Sequence, residues 1–318
     1  MKKTILVTGG AGYIGSACVE ALVNDGNEVV VFDNLASGKK EKVNTKAPLI
    51  VGDITNLEEL DEVFKLHKFD SVIHFAAKKS VPESQQEPAL YFRNNVLGTL
   101  NILTCMEKYQ VPQIIFSSTA AVYKAEDRSD FYFTEDSAVS PASVYGQSKL
   151  MSETLIKEFF KTEKISSYSI LRYFNVAGDY GLAYREDSAQ NVFPLIARAL
   201  EQDKAFYLFG TDYDTKDGTG VRDYIHLTDL VDAHLKALDN SDSGVFNLGT
   251  STGFSVKELI EAFEKKTGKT LKVENVPRRA GDIGTVVADA KKAREILGWE
   301  PKHSLEEMVD STVAVYGL

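Results

Sequence analysis

The stretch TGGAGYIG at positions 8–15 limits what this chain can become more than any other. It follows a short strand-like run, TILVT (4–8), and opens an amphipathic stretch, so Gly9, Gly12 and Gly15 recur at three-residue intervals across a strand-to-helix turn. Glycines there let the backbone turn tightly, approach a pyrophosphate and seat the helix on the strand. The helix start then offers its N–H groups to the phosphates. Asp33, closing the second run EVVVFD (28–33), follows at the expected distance. A carboxylate at that place accepts hydrogen bonds from ribose hydroxyls and repels a 2′-phosphate. No arginine stands beside it, so the cofactor expected is NAD and not NADP. GDI (52–54) after the third strand is expected to border the adenine.

The first half of the chain alternates such runs with helix-like segments. Strands are predicted at 4–8, 28–33, 48–53, 70–77, 113–118 and 167–174, and helices at 14–25, 56–66, 88–109 and 145–163. The runs are nearly continuous in apolar character, which marks strands buried on both faces. The fold class expected is α/β: a Rossmann-type doubly wound parallel sheet with a smaller C-terminal α/β substrate-binding lobe. The NAD-binding domain is expected at 1–175 plus about 224–250, and the substrate lobe at 176–223 and 251–318. Within these, 224–238 reads as a helix and 244–249 as one more strand. The segment 255–269 reads as an amphipathic helix with Ser255 as N-cap and Gly268 near its end.

SVYGQSK (143–149) puts Tyr145 and Lys149 four residues apart, on one helical face. A free tyrosine has a pKa of about 10; lowering it by roughly three units takes about 4 kcal/mol. An ammonium about 5 Å away supplies roughly 3 kcal/mol at an effective dielectric of 20, and a cationic nicotinamide can add the rest. The motif alone is common. It gains weight from FSSTAAVY (116–123), where a strand ends in Ser117, Ser118 and Thr119, because the carboxyl ends of parallel strands face the cofactor crevice.

With glycine fingerprint, strand-end hydroxyl and YxxxK in this order, the chain resembles the extended short-chain dehydrogenase/reductase family. LRYFNVAG (171–178), DGTGVRDYIHLTDL (217–230) and PRRAGD (277–282) resemble its nucleotide-sugar 4-epimerase branch. The resemblance implies a UDP-sugar substrate, NAD as cofactor and a redox loop through a 4-keto sugar. It implies Tyr145 as base, Lys149 as its partner and Thr119 as the strand-end hydroxyl. Implied cofactor contacts are Gly9, Gly12, Tyr13, Ile14, Gly15, Asp33, Asn34, Asp53, Ile54, Phe75, Ala76, Ala77, Lys79, Asn94 and Tyr173, with Tyr145 and Lys149. Implied substrate contacts are Thr119, Asn175, Asn191, Arg222, Arg279, Asp282 and Val286. Two arginines suit a diphosphate and Asp282 suits ribose hydroxyls. Helices 88–109 and 145–163 pair into a homodimer in this family.

The chain departs from the family pattern in three places. Residues 179–190 lack its proline- and glycine-bearing loop, Gln190 takes a position that is often asparagine, and Val286 stands where some epimerases carry a tyrosine beside the sugar. The smaller side chain leaves room at C2, so both N-acetylated and plain hexoses are expected to fit. A dehydratase needs an acidic pair after the strand-end threonine, and Ala120 and Ala121 occupy those places. A UDP-glucuronate 4-epimerase, an alcohol dehydrogenase and a non-catalytic NAD-binding regulator remain as alternatives. The formal charge of −10 argues against nucleic acid or an anionic membrane as partner. No apolar run spans a membrane and no signal peptide is apparent. Cys18 and Cys105 have no metal-type spacing, so a cytoplasmic location is expected.

Overall fold

The computed structural model describes residues 2–125, 132–186, 190–279 and 282–318. Its first elements are β1 (Thr4–Thr8), α1 (Tyr13–Asn24), β2 (Glu28–Asp33), β3 (Leu49–Val51), α2 (Leu57–Leu66) and β4 (Ser71–His74). There follow α3 (Val81–Gln86), α4 (Pro88–Tyr91), a π-helical segment (Phe92–Leu97), α5 (Gly98–Tyr109), β5 (Gln113–Thr119), β6 (Tyr132–Phe133), α6 (Val144–Lys161) and β7 (Ser167–Tyr173). Next come β8 (Asn175–Ala177), α7 (Val192–Gln202), β9 (Phe206–Phe209), β10 (Val221–His226), α8 (Leu227–Asp239), β11 (Gly244–Leu248) and β12 (Gly253–Ser255). The last are α9 (Val256–Thr267), β13 (Val273–Val276), β14 (Thr285–Ala288), α10 (Lys291–Leu297) and α11 (Leu305–Tyr316).

The chain divides into two compact units. The first comprises Met1–Val122, Val139–Arg172 and Val231–Phe246; the second comprises Tyr123–Ala138, Tyr173–Leu230 and Asn247–Leu318. In the first, a sheet runs in the order β11-β7-β5-β4-β1-β2-β3. β1 pairs in parallel with both β2 and β4. The order therefore reverses at β1, which makes the crevice between β1 and β4 a ligand-binding switch point. Alternate residues explain the continuous apolar runs. Leu6, Val30, Phe32, Val72, Ile114 and Phe116 join a core with α2, α5 and α6 residues such as Phe64, Met106 and Ile156. Ile5, Val7, Val29, Val31, Ile73 and Ile115 alternate with them and are also buried. A sheet buried on both faces is the doubly wound arrangement expected.

The second unit holds strands in the order β12-β10-β14-β6, with β8 pairing β10, and a separate β13-β9 pair. Residues 123–138 belong to it because β6 pairs in parallel with β14 (Tyr132↔Val287, Phe133↔Ala288), a non-local match that leaves no local mark in the sequence. Its core joins α7, α9 and α11 through Phe193, Phe263, Leu259 and Met308. α9 begins with a Ser255–Glu258 capping box and ends at Gly268 with φ +66, as its sequence predicts. The helix expected over 224–238 starts later. Tyr224, Ile225 and His226 finish β10 because they pair with Asn175, Val176 and Ala177 of β8. Among the described residues no helix is long and apolar enough to cross a membrane, and no cluster of His, Cys, Asp and Glu suits a metal ion. Both cysteines are free and buried.

His74, ending β4, sets an acid limit on the first unit. Its Nδ1 lies 2.7 Å from Thr8 Oγ1 and its Nε2 3.1 Å from Thr99 Oγ1, tying β4 to β1 and α5. Burial, with a smaller contribution from the Lys149 charge, pushes its pKa down to about 3. The unfolded imidazole protonates at about 6.5. This histidine therefore exacts no penalty above that pH, and stability is lost as pH falls from there toward the folded value. At pH 5 the loss is about 2 kcal/mol. Urea unfolding at pH 7 and pH 5 should show that drop, and a His74→Gln variant should show a correspondingly smaller one.

Candidate active site

In the first unit three backbones meet at the exit of β1. Phe75 N and Ala76 N both donate to Thr8 O, at 2.9 and 3.1 Å, folding the chain after β4 across the glycine turn. A Cβ on Gly9, whose φ is +75, would lie 2.5 Å from Ala76 N, and one on Gly15 would lie 2.1 Å from Gly9 O. No other residue fits at these two places. α1 then starts at Gly12 with no side chain capping it, so its first N–H groups face the crevice. Asp33, 8% exposed, accepts from Ala11 N at 3.0 Å and Leu35 N at 2.8 Å. Those bonds aim the carboxylate at the turn and leave it further acceptor capacity. Asn34 Nδ2 donates to Asp53 Oδ2 at 3.0 Å, linking the ends of β2 and β3. Tyr13 and Ile14 sit in the first turn of α1, Ile54 lies buried just after β3, and Ala77 and Lys79 follow β4. A backbone cradle that admits no Cβ, an uncapped helix start and an acidic residue at the end of β2 fit a dinucleotide such as NAD.

Asn94 lies in the π-helical segment and donates to Asn95 Oδ1 at 2.9 Å. Asn95, absent from the sequence reading, clamps both backbone groups of Lys78 and donates to Ser148 Oγ at 2.9 Å. Single π-turns inside helices gather at functional sites.

The first unit also brings together Thr119, Tyr145 and Lys149. Ser143 caps α6 by accepting from Gly146 N at 3.1 Å. Gly146 is needed for a reason the motif did not reveal: a Cβ there would lie 2.4 Å from Ala121 O. The bare glycine lets the first turn of α6 approach the turn after β5, where the Thr119 side chain, which accepts from Ala121 N at 3.1 Å, acts on the Tyr145 phenol. Burial pushes the Tyr145 phenol up to about 12, with the Thr119 side chain opposing that rise. Lys149, 3% exposed, donates from Nζ to Ser117 O at 2.7 Å, with the Phe116 ring centroid 4.8 Å away. Burial brings its pKa down to about 7, and Glu153 opposes that fall. The expectation that Lys149 draws the phenol down is thus not met in this state: desolvation of the phenolate dominates, and the ammonium is held on the Ser117 carbonyl.

The substrate-type residues lie in the second unit, apart from Thr119. Arg222 on β10 forms an ion pair with Asp282 and donates to Val221 O and Gly284 O. Val286 of β14 stands opposite Arg222 in register. The Arg279 guanidinium lies 4.1 Å from the Phe209 ring centroid, and Tyr213 OH is 3.3 Å from Asp282 Oδ2. Asn175 opens β8 and donates to Asp223 O at 3.2 Å; Asn191 is the exposed N-cap of α7, and Tyr173 closes β7. Part of DGTGVRDYIHLTDL is architectural. Asp223 accepts from Thr250, Ser251 and Ala288 backbone N–H groups, and Asp229 accepts from His303. Ala280 and Gly281 of PRRAGD, and residues 187–189 of the divergent stretch, lie outside the described residues.

Residues 5–249 match the NAD dependent epimerase/dehydratase family. The chain belongs to that family. It is 43% identical over 321 residues to a UDP-glucose 4-epimerase of Bacillus subtilis (strain 168), covering 96% of this chain and 94% of that one. Among solved structures it resembles UDP-glucose-4-epimerase from Stenotrophomonas maltophila, crystallised with bound NAD and formylated UDP-arabinopyranose. The TM-score there is 0.93 and the identity 38%, over 99% of this chain and 98% of the other. It also resembles the UDP-Glc/GlcNAc 4-epimerase of Campylobacter jejuni, with a TM-score of 0.86 and 37% identity over 99% of both chains. The kinship implied by the sequence motifs is therefore met along the whole chain.

Gly146→Ala tests the close approach. The added methyl must displace the first turn of α6 from the Ala121 carbonyl, at about 1–3 kcal/mol of stability. Chemical denaturation should show that loss, and turnover should fall by more than tenfold because tyrosine and threonine separate by a fraction of an ångström.

Proposed function

We propose that this chain interconverts UDP-galactose and UDP-glucose by inverting the C4 hydroxyl, and that it accepts the corresponding N-acetylated pair. The observation that carries the reading is the placement of Thr119, at the end of β5, where it acts on the Tyr145 phenol, with Lys149 one helical turn away on α6. Bound NAD supplies the redox chemistry at C4 and ends the cycle unchanged. The protein moves the proton and holds the sugar nucleotide. Tyr145, as phenolate, takes the proton of the 4-hydroxyl while Thr119 orients that oxygen. Tyr145 returns the proton after the 4-keto sugar has presented its other face. A phenol pushed up to about 12 is a poor base at neutrality, so positive charge at the site is essential, and Lys149 is the resident cation.

Arg222 and Arg279 take the diphosphate, with Asp282 released from Arg222 to accept from the ribose; Asn175 and Asn191 complete the substrate contacts. A firm grip on the charged end leaves the hexose free to turn. Elimination of water would need carboxylates beside Thr119, whereas Ala120–Val122 form a short apolar 3₁₀ turn, which favours return of the keto sugar over dehydration. Val286 is half-buried in register with Arg222, and the Campylobacter relative's own description names both glucose and N-acetylglucosamine forms; both support the broader substrate range. Leu90, Leu97 and Leu100 on the 88–109 run and Met151 on α6 are exposed, the apolar surface a homodimer would cover. Two free buried cysteines agree with a reducing cytoplasm.

Incubation with UDP-galactose, UDP-N-acetylgalactosamine and UDP-glucuronate, without added NAD and with products followed by NMR, tests the reading. Conversion of the first two is expected; conversion of neither sinks it, and conversion of the glucuronate alone moves the substrate class. Tyr145→Phe should keep the cofactor bound while turnover falls by about 10²–10⁴. Val286→Tyr should cut kcat/KM for the N-acetylated substrate by about tenfold or more relative to the plain hexose; equal effects on both would remove Val286 as the determinant.

A further inference from the structure

Beneath the Tyr145–Lys149 pair lies a buried charge cluster that no motif above accounts for. Tyr145, Lys149 and Glu153 follow one another at i, i+4 and i+8 on α6, so they share a face. Glu153 is fully buried and Arg172, on β7, is 2% exposed. Arg172 grips Glu153 with both arms of its guanidinium, Nε to Oε1 at 2.9 Å and Nη2 to Oε2 at 2.6 Å. Glu153 Oε1 also accepts from Ser118 Oγ at 2.6 Å. Ser118 lies on β5 between Ser117, whose carbonyl receives the Lys149 ammonium, and Thr119, which meets Tyr145. One carboxylate thus touches the strand that carries the hydroxyl and the carbonyl, and belongs to the helix that carries the phenol and the ammonium.

We propose that Glu153 is a positioning residue for proton transfer: its charge keeps Lys149 an ammonium inside the protein, and its bond to Ser118 fixes β5 against α6. The inference deepens the proposed function and rests on it for the role of Tyr145. Lys149 is almost wholly buried, and an ammonium there would shed its proton without a compensating anion. The titratable groups packed around it are Tyr145 and Glu153 on α6, His74 on β4, and, through Glu153, Arg172 on β7. His74 is neutral near pH 7 because burial and the Lys149 charge push it down to about 3. Tyr145 is a phenol, and Glu153, one turn along α6 from Lys149, is the one carboxylate among these groups. Lys157, one turn further along α6, lies 3.8 Å from Glu153 Oε2. A structural role alone would need the carboxylate only as an acceptor for Ser118 and Arg172.

The test is the ionisation of Lys149 in the full-length protein as purified, read by NMR of labelled lysine and assigned through Lys149→Met. Glu153→Gln keeps an acceptor oxygen but removes the charge. The double variant E153Q/R172M removes the whole ion pair, so Arg172 is not left buried without its carboxylate and the measurement survives if the single variant fails to fold. Both should titrate Lys149 at lower pH, with about a tenfold smaller ratio of ammonium to amine at pH 7.5. The alkaline fall in turnover of Glu153→Gln should move to lower pH with the Lys149 titration, whereas Glu153→Asp, which keeps the charge, should leave it in place. An unmoved Lys149 titration in the charge-removing variants overturns the inference, as does equal loss in the Asp and Gln variants without movement of the alkaline fall. Because the titration is read without turnover, it decides the inference even if no UDP-hexose is converted.

Discussion

The carbonyl of Gly9 and the α-carbon of Gly15 are so close that no side chain fits between them. That contact lets α1 begin directly at the end of β1. It leaves room for the chain after β4 to cross the same turn, hydrogen-bonded to Thr8. The reversal of strand order at β1 opens a crevice there, and the glycines keep it shallow enough for a ligand to meet backbone N–H groups. The cofactor-type residues of the first unit are arranged around that backbone contact. Asp33 is oriented by Ala11 N of the same turn, so the acid takes its place from the glycine loop as much as from its own strand.

A second constraint is electrostatic. The sheet is buried on both faces, yet α6 and β7 carry Lys149, Glu153 and Arg172 into it. Charges so far from water persist only when paired and hydrogen-bonded. The bidentate Arg172–Glu153 pair and the Ser117 and Ser118 contacts meet that condition. The cluster sits at the strand end that carries Thr119, where the proposed chemistry needs cationic character beside a phenol. In the second unit the same logic has another use: buried Asp223 collects backbone N–H groups from two neighbouring segments and joins β10 to the 249–252 loop and β14.

Much of the first unit was legible in the sequence because its signals are local. Apolar runs of strand length, glycines at a strand-to-helix turn and an acid after the second strand report short-range geometry. The same holds for Ser255 and Gly268, whose capping roles depend on neighbours within four residues. Less legible were features set by distant partners. Tyr224–His226 has a helix-like pattern but joins β8, and β6 joins β14 across more than 150 residues of chain. Gly146 reads as an incidental residue inside YxxxK until the Ala121 carbonyl is placed against it. Glu153 stood at helical spacing from Lys149 and Arg172 interrupted an apolar strand, and those two irregularities were the signals available for the buried pair.

The sequence by itself determined the sheet-and-helix order, the dinucleotide-type turn and the kinship of the whole chain, and it singled out Tyr145, Lys149 and Thr119 as candidates. Each rests on residue type at a fixed short spacing, which backbone geometry translates directly into position. Only the tertiary structure decided how those groups are charged and held. Burial drives the Tyr145 phenol up and Lys149 down, the Ser117 carbonyl captures the ammonium, and Arg222 pairs with Asp282. Desolvation and long-range pairing depend on which segments fold over a residue, and no local pattern carries that information.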